Sequence, residues 1–97
     1  MRRDARVDGN HARIARALER FGCSVDSLAP MGNGVPDILW SRSGKAGVIE
    51  VKNPEQPPSK RKLRPAQVTW RAHWKGPYAV CETAGQAIAH VQKVVFG

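Results

Sequence analysis

The chain has 97 residues, 41% of them apolar and 25% charged, with 16 Lys and Arg against 8 Asp and Glu for a formal net charge of +8. That length suits a single domain over residues 1–97 with one modest core, a size often helped by self-association. It excludes a membrane span, since no stretch approaches the roughly 18 to 20 continuous apolar residues required, and no apolar stretch follows Met1-Arg2-Arg3-Asp4 as in a signal peptide.

Residues 1–9 are basic and polar and read as a loose arm. Asn10 is placed to cap a helix over residues 11–21, with Ile14, Ala17, Leu18 and Phe21 on one face and Gly22 as its stop. Arg13, Arg16 and Arg20 share another face and read as a solvated stripe. Residues 24–28 predict a short strand, and residues 29–35, with Pro30, Gly32, Asn33 and Gly34, a loop. Two β-rich runs, 37–40 and 46–52, joined by Ser41-Arg42-Ser43-Gly44-Lys45, predict a hairpin. A polar loop follows over residues 53–64, with Pro54, Pro57 and Pro58. Pro65 suits the first turn of a second helix reaching Lys75, before Gly76-Pro77. Residues 78–81 predict a fourth strand. Thr83-Ala84-Gly85-Gln86 has capping-box spacing and opens a last helix whose apolar face is Ala84, Ala87, Ile88, Val91 and Val95. The expected order is α-β-β-β-α-β-α, a mixed β-sheet flanked by helices in the α/β class.

Chemistry concentrates in the hairpin. Side chains two apart in a strand share a face, so Glu50 and Lys52 point together while Ile49 and Val51 point the other way. A turn centred on Ser43-Gly44 pairs residues whose numbers sum to 87, setting Asp37 opposite Glu50 at about 4.5 to 5.5 Å between Cβ atoms. A slightly longer turn pairs Asp37 with Lys52 instead. Two adjacent carboxylates repel unless a cation or proton lies between them. Mg²⁺ favours such oxygen ligands and keeps water in its shell; bound there, it polarises phosphate oxygens and acidifies water. Lys52 is placed to orient that water or to stabilise transition-state charge. These parts suit phosphodiester hydrolysis. An isolated Glu-x-Lys is a commonplace surface ion pair; this one sits in an apolar strand, after a Gly-x-Pro-Asp turn, in a chain with a pI near 10.4.

Other residues carry two readings each. The net charge favours a polyanion partner without separating DNA, RNA or a membrane surface. Lys60, Arg61, Lys62 and Arg64, four bases in six residues, suit phosphate contacts or a solvated loop. Gln67 shares a helical face with Trp70 and Trp74, aiming an amide wherever the tryptophans pack, at the carboxylates, at a phosphate or at nearby backbone. The tryptophans themselves suit core or dimer packing better than stacking on unpaired bases. Trp40, ending a short strand, has no evident place. His11, His73 and His90 lack zinc-site spacing with Cys23 and Cys81, which read as reduced, buried thiols in a cytoplasmic protein. No Gly-x-x-x-x-Gly-Lys loop occurs, so no nucleotide cofactor is expected.

Pro36-Asp37, a spacer, then Glu50-Val51-Lys52 resembles the PD-(D/E)XK nuclease signature. Within that superfamily the chain looks most like the small stand-alone VRR-NUC domains of phages and bacteria. The resemblance takes in the helix ending at Gly22, the run Gly32-Asn33-Gly34-Val35-Pro36-Asp37-Ile38-Leu39, Ile49-Glu50-Val51-Lys52, and Leu63-Arg64-Pro65-Ala66-Gln67. It implies a restriction-endonuclease-like core, Asp37 and Glu50 holding Mg²⁺ (or Mn²⁺) with the Val51 carbonyl, Lys52 serving the attacking water, and Gln67 beside the active site. It further implies a Holliday-junction-resolvase-like homodimer cleaving four-way DNA junctions in a bacterial or phage-infected cell. Twofold symmetry would suit paired cuts in a symmetric junction. One departure stands out. Many relatives carry a glutamate early in the first helix; here the nearest candidates are Asn10, as an accessory to metal-bound water or merely a helix cap, Asp8, and Glu19 two turns on. Two competing readings are a non-catalytic DNA-binding module and a restriction-type or anti-phage nuclease acting on linear duplex.

Overall fold

The computed structural model describes residues 9–97. In chain order it contains helix α1 (Gly9–Arg20), strand β1 (Ser24–Ser27), a 3-10 turn (Ala29–Met31), strands β2 (Ile38–Arg42) and β3 (Lys45–Val51), the single-turn helix α2 (Pro58–Arg61), helix α3 (Pro65–His73), strand β4 (Tyr78–Cys81) and helix α4 (Ala84–Phe96). The fold is α/β. Its four-stranded sheet runs β1-β2-β3-β4, antiparallel across the first two pairs and parallel between β3 and β4. A parallel pair needs a crossover, and α3 lies within it. Neither α2 nor the 3-10 turn was expected; each is too short to show a helical period.

The hairpin follows from its turn. Ser43 and Gly44 both have positive φ, 55° and 78°, the two-residue geometry whose twist matches that of the flanking strands. The strands therefore extend right up to the turn, so β2 includes Ser41 and Arg42. Arg42 pairs with Lys45 and Ile38 with Ile49; there the regular pairing ends, with the Asp37 N–H also donating to the Ile49 carbonyl at 3.1 Å, so that Asp37 stands beside the end of β3. The longer-turn alternative, Asp37 against Lys52, is excluded by this register.

Alternation then divides the sheet. Ile38, Trp40, Ile49 and Cys81 face one side, where they form the core with Ile14, Leu18, Cys23, Ala87 and Val91. Helices α1 and α4 pack on each other and cover this side. Trp40 finds its place here, fully buried with its ring edge-on to His90 at 5.5 Å. Cys23 and Cys81 are free and buried; burial raises both thiol pKa values, that of Cys81 to about 11. Thr83 caps α4, its hydroxyl accepting from the Gln86 amide at 3.1 Å while the Gln86 side chain accepts from the Thr83 amide at 3.3 Å.

Three expectations change. Asn10 is not the cap of α1, which already includes Gly9. Its side-chain amide instead donates to the carbonyls of Lys52 at 2.8 Å and Glu82 at 3.1 Å, and its oxygen accepts from Arg13 at 3.3 Å. The residue joins the start of α1 to the chain just beyond β3 and β4. Trp70 and Trp74 are only half-buried, outside the core, and stack on each other at 5.1 Å, because α3 covers the second sheet face only in part. Finally, the arm expected over residues 1–9, Gly9 excepted, and Asp8 lie outside the described residues, while Glu19 is exposed. Among the described residues no helix is long and apolar enough to cross a membrane.

Asn10→Ala should lower stability by about 1–3 kcal/mol, since two interior carbonyls lose their donor. Urea unfolding measures it. Asn10→Ser, whose side chain is too short to span to Lys52 and Glu82, should not recover the loss.

Candidate active site

Strand directions bring one end of the sheet together. The C-terminal ends of β1, β3 and β4 and the start of β2 all lie there, so Asp37, Glu50, Lys52 and Glu82 emerge side by side. A cleft of about 400 Å³ opens at this end, lined by Asp37, Glu50, Val51 and Lys52, with Gln67 and the basic Lys60, Lys62 and Arg64 around them.

Glu50 is 3% exposed, Lys52 8% and Gln67 4%. Taking a carboxylate and an ammonium from water is costly unless each is paired and hydrogen-bonded, and Gln67 serves both. Its Nε2 donates to Glu50 Oε2 at 3.0 Å, while its Oε1 accepts from Lys52 Nζ at 3.0 Å. The same oxygen accepts the Arg64 backbone N–H at 2.8 Å, so the amide also ties off the first turn of α3. Lys52 Nζ lies 3.6 Å from Glu50 Oε2. Asp37, partly buried, accepts the Val51 N–H through Oδ2 at 2.8 Å. One residue's N–H and C=O leave an extended strand on the same side, so the Val51 carbonyl is directed toward the edge where Asp37 stands.

Gly34 makes this approach possible. Its φ is +80°, and a Cβ there would stand 2.2 Å from the Ala66 carbonyl oxygen. The turn before Pro36-Asp37 therefore packs directly on the first turn of α3 and sets where Gln67 begins.

Glu50 Oε1 is buried without a hydrogen-bond partner. Burial, then the neighbouring Asp37 charge, raises the Glu50 pKa to about 7 against the opposing pull of Lys52. A buried, unsatisfied carboxylate oxygen beside a second carboxylate suits a hard divalent cation. Among the described residues no group of three or more His, Cys, Asp or Glu side chains gathers to hold a metal. Such a cation would therefore take Asp37, Glu50, the Val51 carbonyl and water, a sparse protein set that Mg²⁺ tolerates.

The basic residues separate. Lys60, Lys62 and Arg64 line the cleft, whereas Arg61 turns to Glu82 at 3.3 Å and anchors α2 at the β4 side. Asn10 is not in the cleft lining; its amide is engaged with backbone. Two residues near the carboxylates escaped the sequence. His11 lines the cleft, 7% exposed, with Nε2 3.4 Å from the Asp37 carbonyl oxygen. Tyr78 lies beside Val48, on the Glu50 face. Its hydroxyl is buried without a hydrogen-bond partner; burial and the Glu50 charge raise its pKa, opposed by Arg71. No local pattern marks either residue; only strand pairing and helix placement bring them here.

No protein-family model, curated protein or solved structure matches the chain.

Because folding lifts the Glu50 pKa from 4.5 to about 7, the folded protein holds a proton that the unfolded chain releases between those values. Without metal, this contribution is fully present below about pH 4.5 and is lost as pH rises through 7. Urea titrations in chelator should show Glu50→Gln gaining on the wild type across that range, on the order of 3 kcal/mol at most. Added Mg²⁺ near pH 8 should stabilise the wild type and leave Glu50→Gln nearly unchanged.

Proposed function

We propose that the protein is a metal-dependent, structure-selective endodeoxyribonuclease that hydrolyses phosphodiester bonds in branched DNA such as four-way junctions. The observation that carries this reading is the unpartnered Glu50 Oε1, buried next to Asp37 and Lys52 in a cleft with basic walls. The Pro36-Asp37 and Glu50-Val51-Lys52 resemblance to PD-(D/E)XK nucleases of the VRR-NUC kind supports it, and with it a restriction-endonuclease-like core. Mg²⁺, or Mn²⁺ in its place, would supply Lewis-acid polarisation of the phosphate and a water acidified toward hydroxide.

The chain's own residues do the rest. Asp37 and Glu50 would hold the cation by their negative charge, and the Val51 carbonyl would complete the protein ligands. Gln67 positions the Lys52 ammonium and Glu50 Oε2 relative to each other. Lys52 Nζ donates to the attacking water or to the oxygens on which charge accumulates. Lys60, Lys62 and Arg64 grip flanking phosphates, an interaction that weakens steeply with salt. A homodimer suits a symmetric junction, because a twofold axis places two such sites for paired cuts. The working compartment is the cytoplasm of a bacterial or phage-infected cell. The absence of a third clustered side-chain ligand among the described residues favours, as a second reading, a DNA-binding module without turnover.

Incubating the protein with labelled four-way junction and linear duplex in Mg²⁺ or Mn²⁺ separates these readings. Metal-dependent junction cleavage leaving 5′-phosphates is expected. Asp37→Asn should abolish it while retaining DNA binding, and Lys52→Met should slow it by about 10²–10³-fold. Binding without cleavage in wild type and Asp37→Asn alike would establish the module reading, and cutting of linear duplex at one sequence a restriction-type enzyme.

A further inference from the structure

The strand order gives the cleft two unlike sides. Beyond β4, Glu82 anchors Arg61 of α2, and the segment carrying Lys60, Lys62 and Arg64 brings positive charge to the wall. At the opposite end of the strand order, β1 leads into Leu28-Ala29-Pro30-Met31. Ala29 lines the cleft, and none of the three residues of the 3-10 turn is buried. Met31 is 60% exposed. Turns are ordinarily built from Gly, Pro, Asn, Asp and Ser, which accounts for Pro30, and Leu28 and Ala29 are half-buried; Met31 is the large apolar side chain that this turn leaves exposed near a polar cleft.

The turn is held firmly. Pro30 restricts its backbone, the Met31 N–H donates to the Leu28 carbonyl at 2.9 Å, and the Leu28 N–H donates to the Asp37 carbonyl at 2.7 Å. Met31 is thus tied through two backbone hydrogen bonds to the residue that bears the first carboxylate. A protein partner fits poorly, because a four-residue turn falls far short of the roughly 20–30 residues that each side of a stable interface supplies. The basic wall across the cleft selects a polyanion instead.

We infer that Met31 is an apolar wedge that enters an unstacked base step of DNA whose backbone lies along the Lys60, Lys62 and Arg64 wall. The inference rests on the DNA-cleaving reading above and names the feature that reading leaves open, namely what makes a substrate structure-selective. Methionine and proline wedges part base steps in other groove-binding proteins. Opening a step is costly in a continuous duplex and least costly where stacking is already broken. A wedge two residues beyond the cleft-lining Ala29 therefore discriminates for branch points, nicks and mismatches without reading sequence. Its long unbranched side chain suits steps of differing geometry.

The test uses full-length Asp37→Asn protein in chelator, so that DNA is bound and not cut. 2-Aminopurine is placed at the branch of a four-way junction and at the matching position of a linear duplex. With Met31 present, binding should raise the junction fluorescence severalfold; adding Met31→Ala should remove most of that rise, and Met31→Leu should restore it. Junction affinity should fall about tenfold in Met31→Ala, with linear-duplex affinity changed less than twofold. Met31 is exposed, so its replacement leaves the fold intact, as a thermal melt would verify. An unchanged fluorescence response, or equal loss of affinity on both DNAs, would overturn the wedge. So would an altered sedimentation coefficient with unaltered DNA binding, which would assign the turn to self-association. Junction cleavage by wild type that Met31→Ala leaves intact defeats the wedge alone, whereas failure of the Asp37→Asn parent to bind any DNA defeats both readings.

Discussion

Glu50 and Lys52 leave the same face of β3, two residues apart, and both are more than nine-tenths buried. Neither charge can be taken from water without partners, and the surrounding elements are arranged so as to supply them. The Gln67 amide presents its nitrogen to the carboxylate and its oxygen to the ammonium. Any other orientation would set donor against donor. That requirement locates the start of α3, and Gly34 removes the one side chain that would block the approach. Asn10 holds the chain just beyond β3 from the other side through the Lys52 carbonyl. One acceptor, Glu50 Oε1, remains unsatisfied within this otherwise paired group, and the proposed function grows from that exception.

What the sequence disclosed is what local rules govern. A two-residue turn at Ser43-Gly44 dictates register, register dictates which side chains oppose, and alternation assigns Ile49 and Val51 to the core and Glu50 and Lys52 to the cleft. The meeting of Asp37 with Glu50 was legible for that reason. Thr83 and Gln86 were legible as a cap because the box is complete within four residues. Gln67 came from helical spacing, although its placement against the carboxylates, rather than nearby backbone alone, depended on where α3 docks.

What remained hidden depends on distant partners. Asn10 sits where a capping asparagine would sit, yet its amide meets two carbonyls from 42 and 72 residues away, and nothing local separates the two roles. Arg61 looks identical in sequence to its basic neighbours; only the position of Glu82 draws it out of the cleft. Helical spacing places Trp70 and Trp74 on one face with Gln67, but a core position for them presumes a sheet covered on both sides, and both are half-buried outside the core. His11 and Tyr78 come to the site by tertiary packing from opposite ends of the chain.

The parallel pairing of β3 with β4 has a bearing on how the protein comes to its native state. The β2–β3 hairpin closes over a handful of residues, so the two acidic groups can meet early and locally. The third member of the cluster rides on the crossover and reaches them only when the chain has looped back to lay β4 alongside β3, a non-local closure that forms slowly. A half-folded chain thus holds two like charges together, with the Lys52 ammonium nearby but without the Gln67 amide that fixes it against Glu50. Completion of the crossover relieves that repulsion, so the buried polar cluster acts as a late checkpoint on folding rather than as its seed.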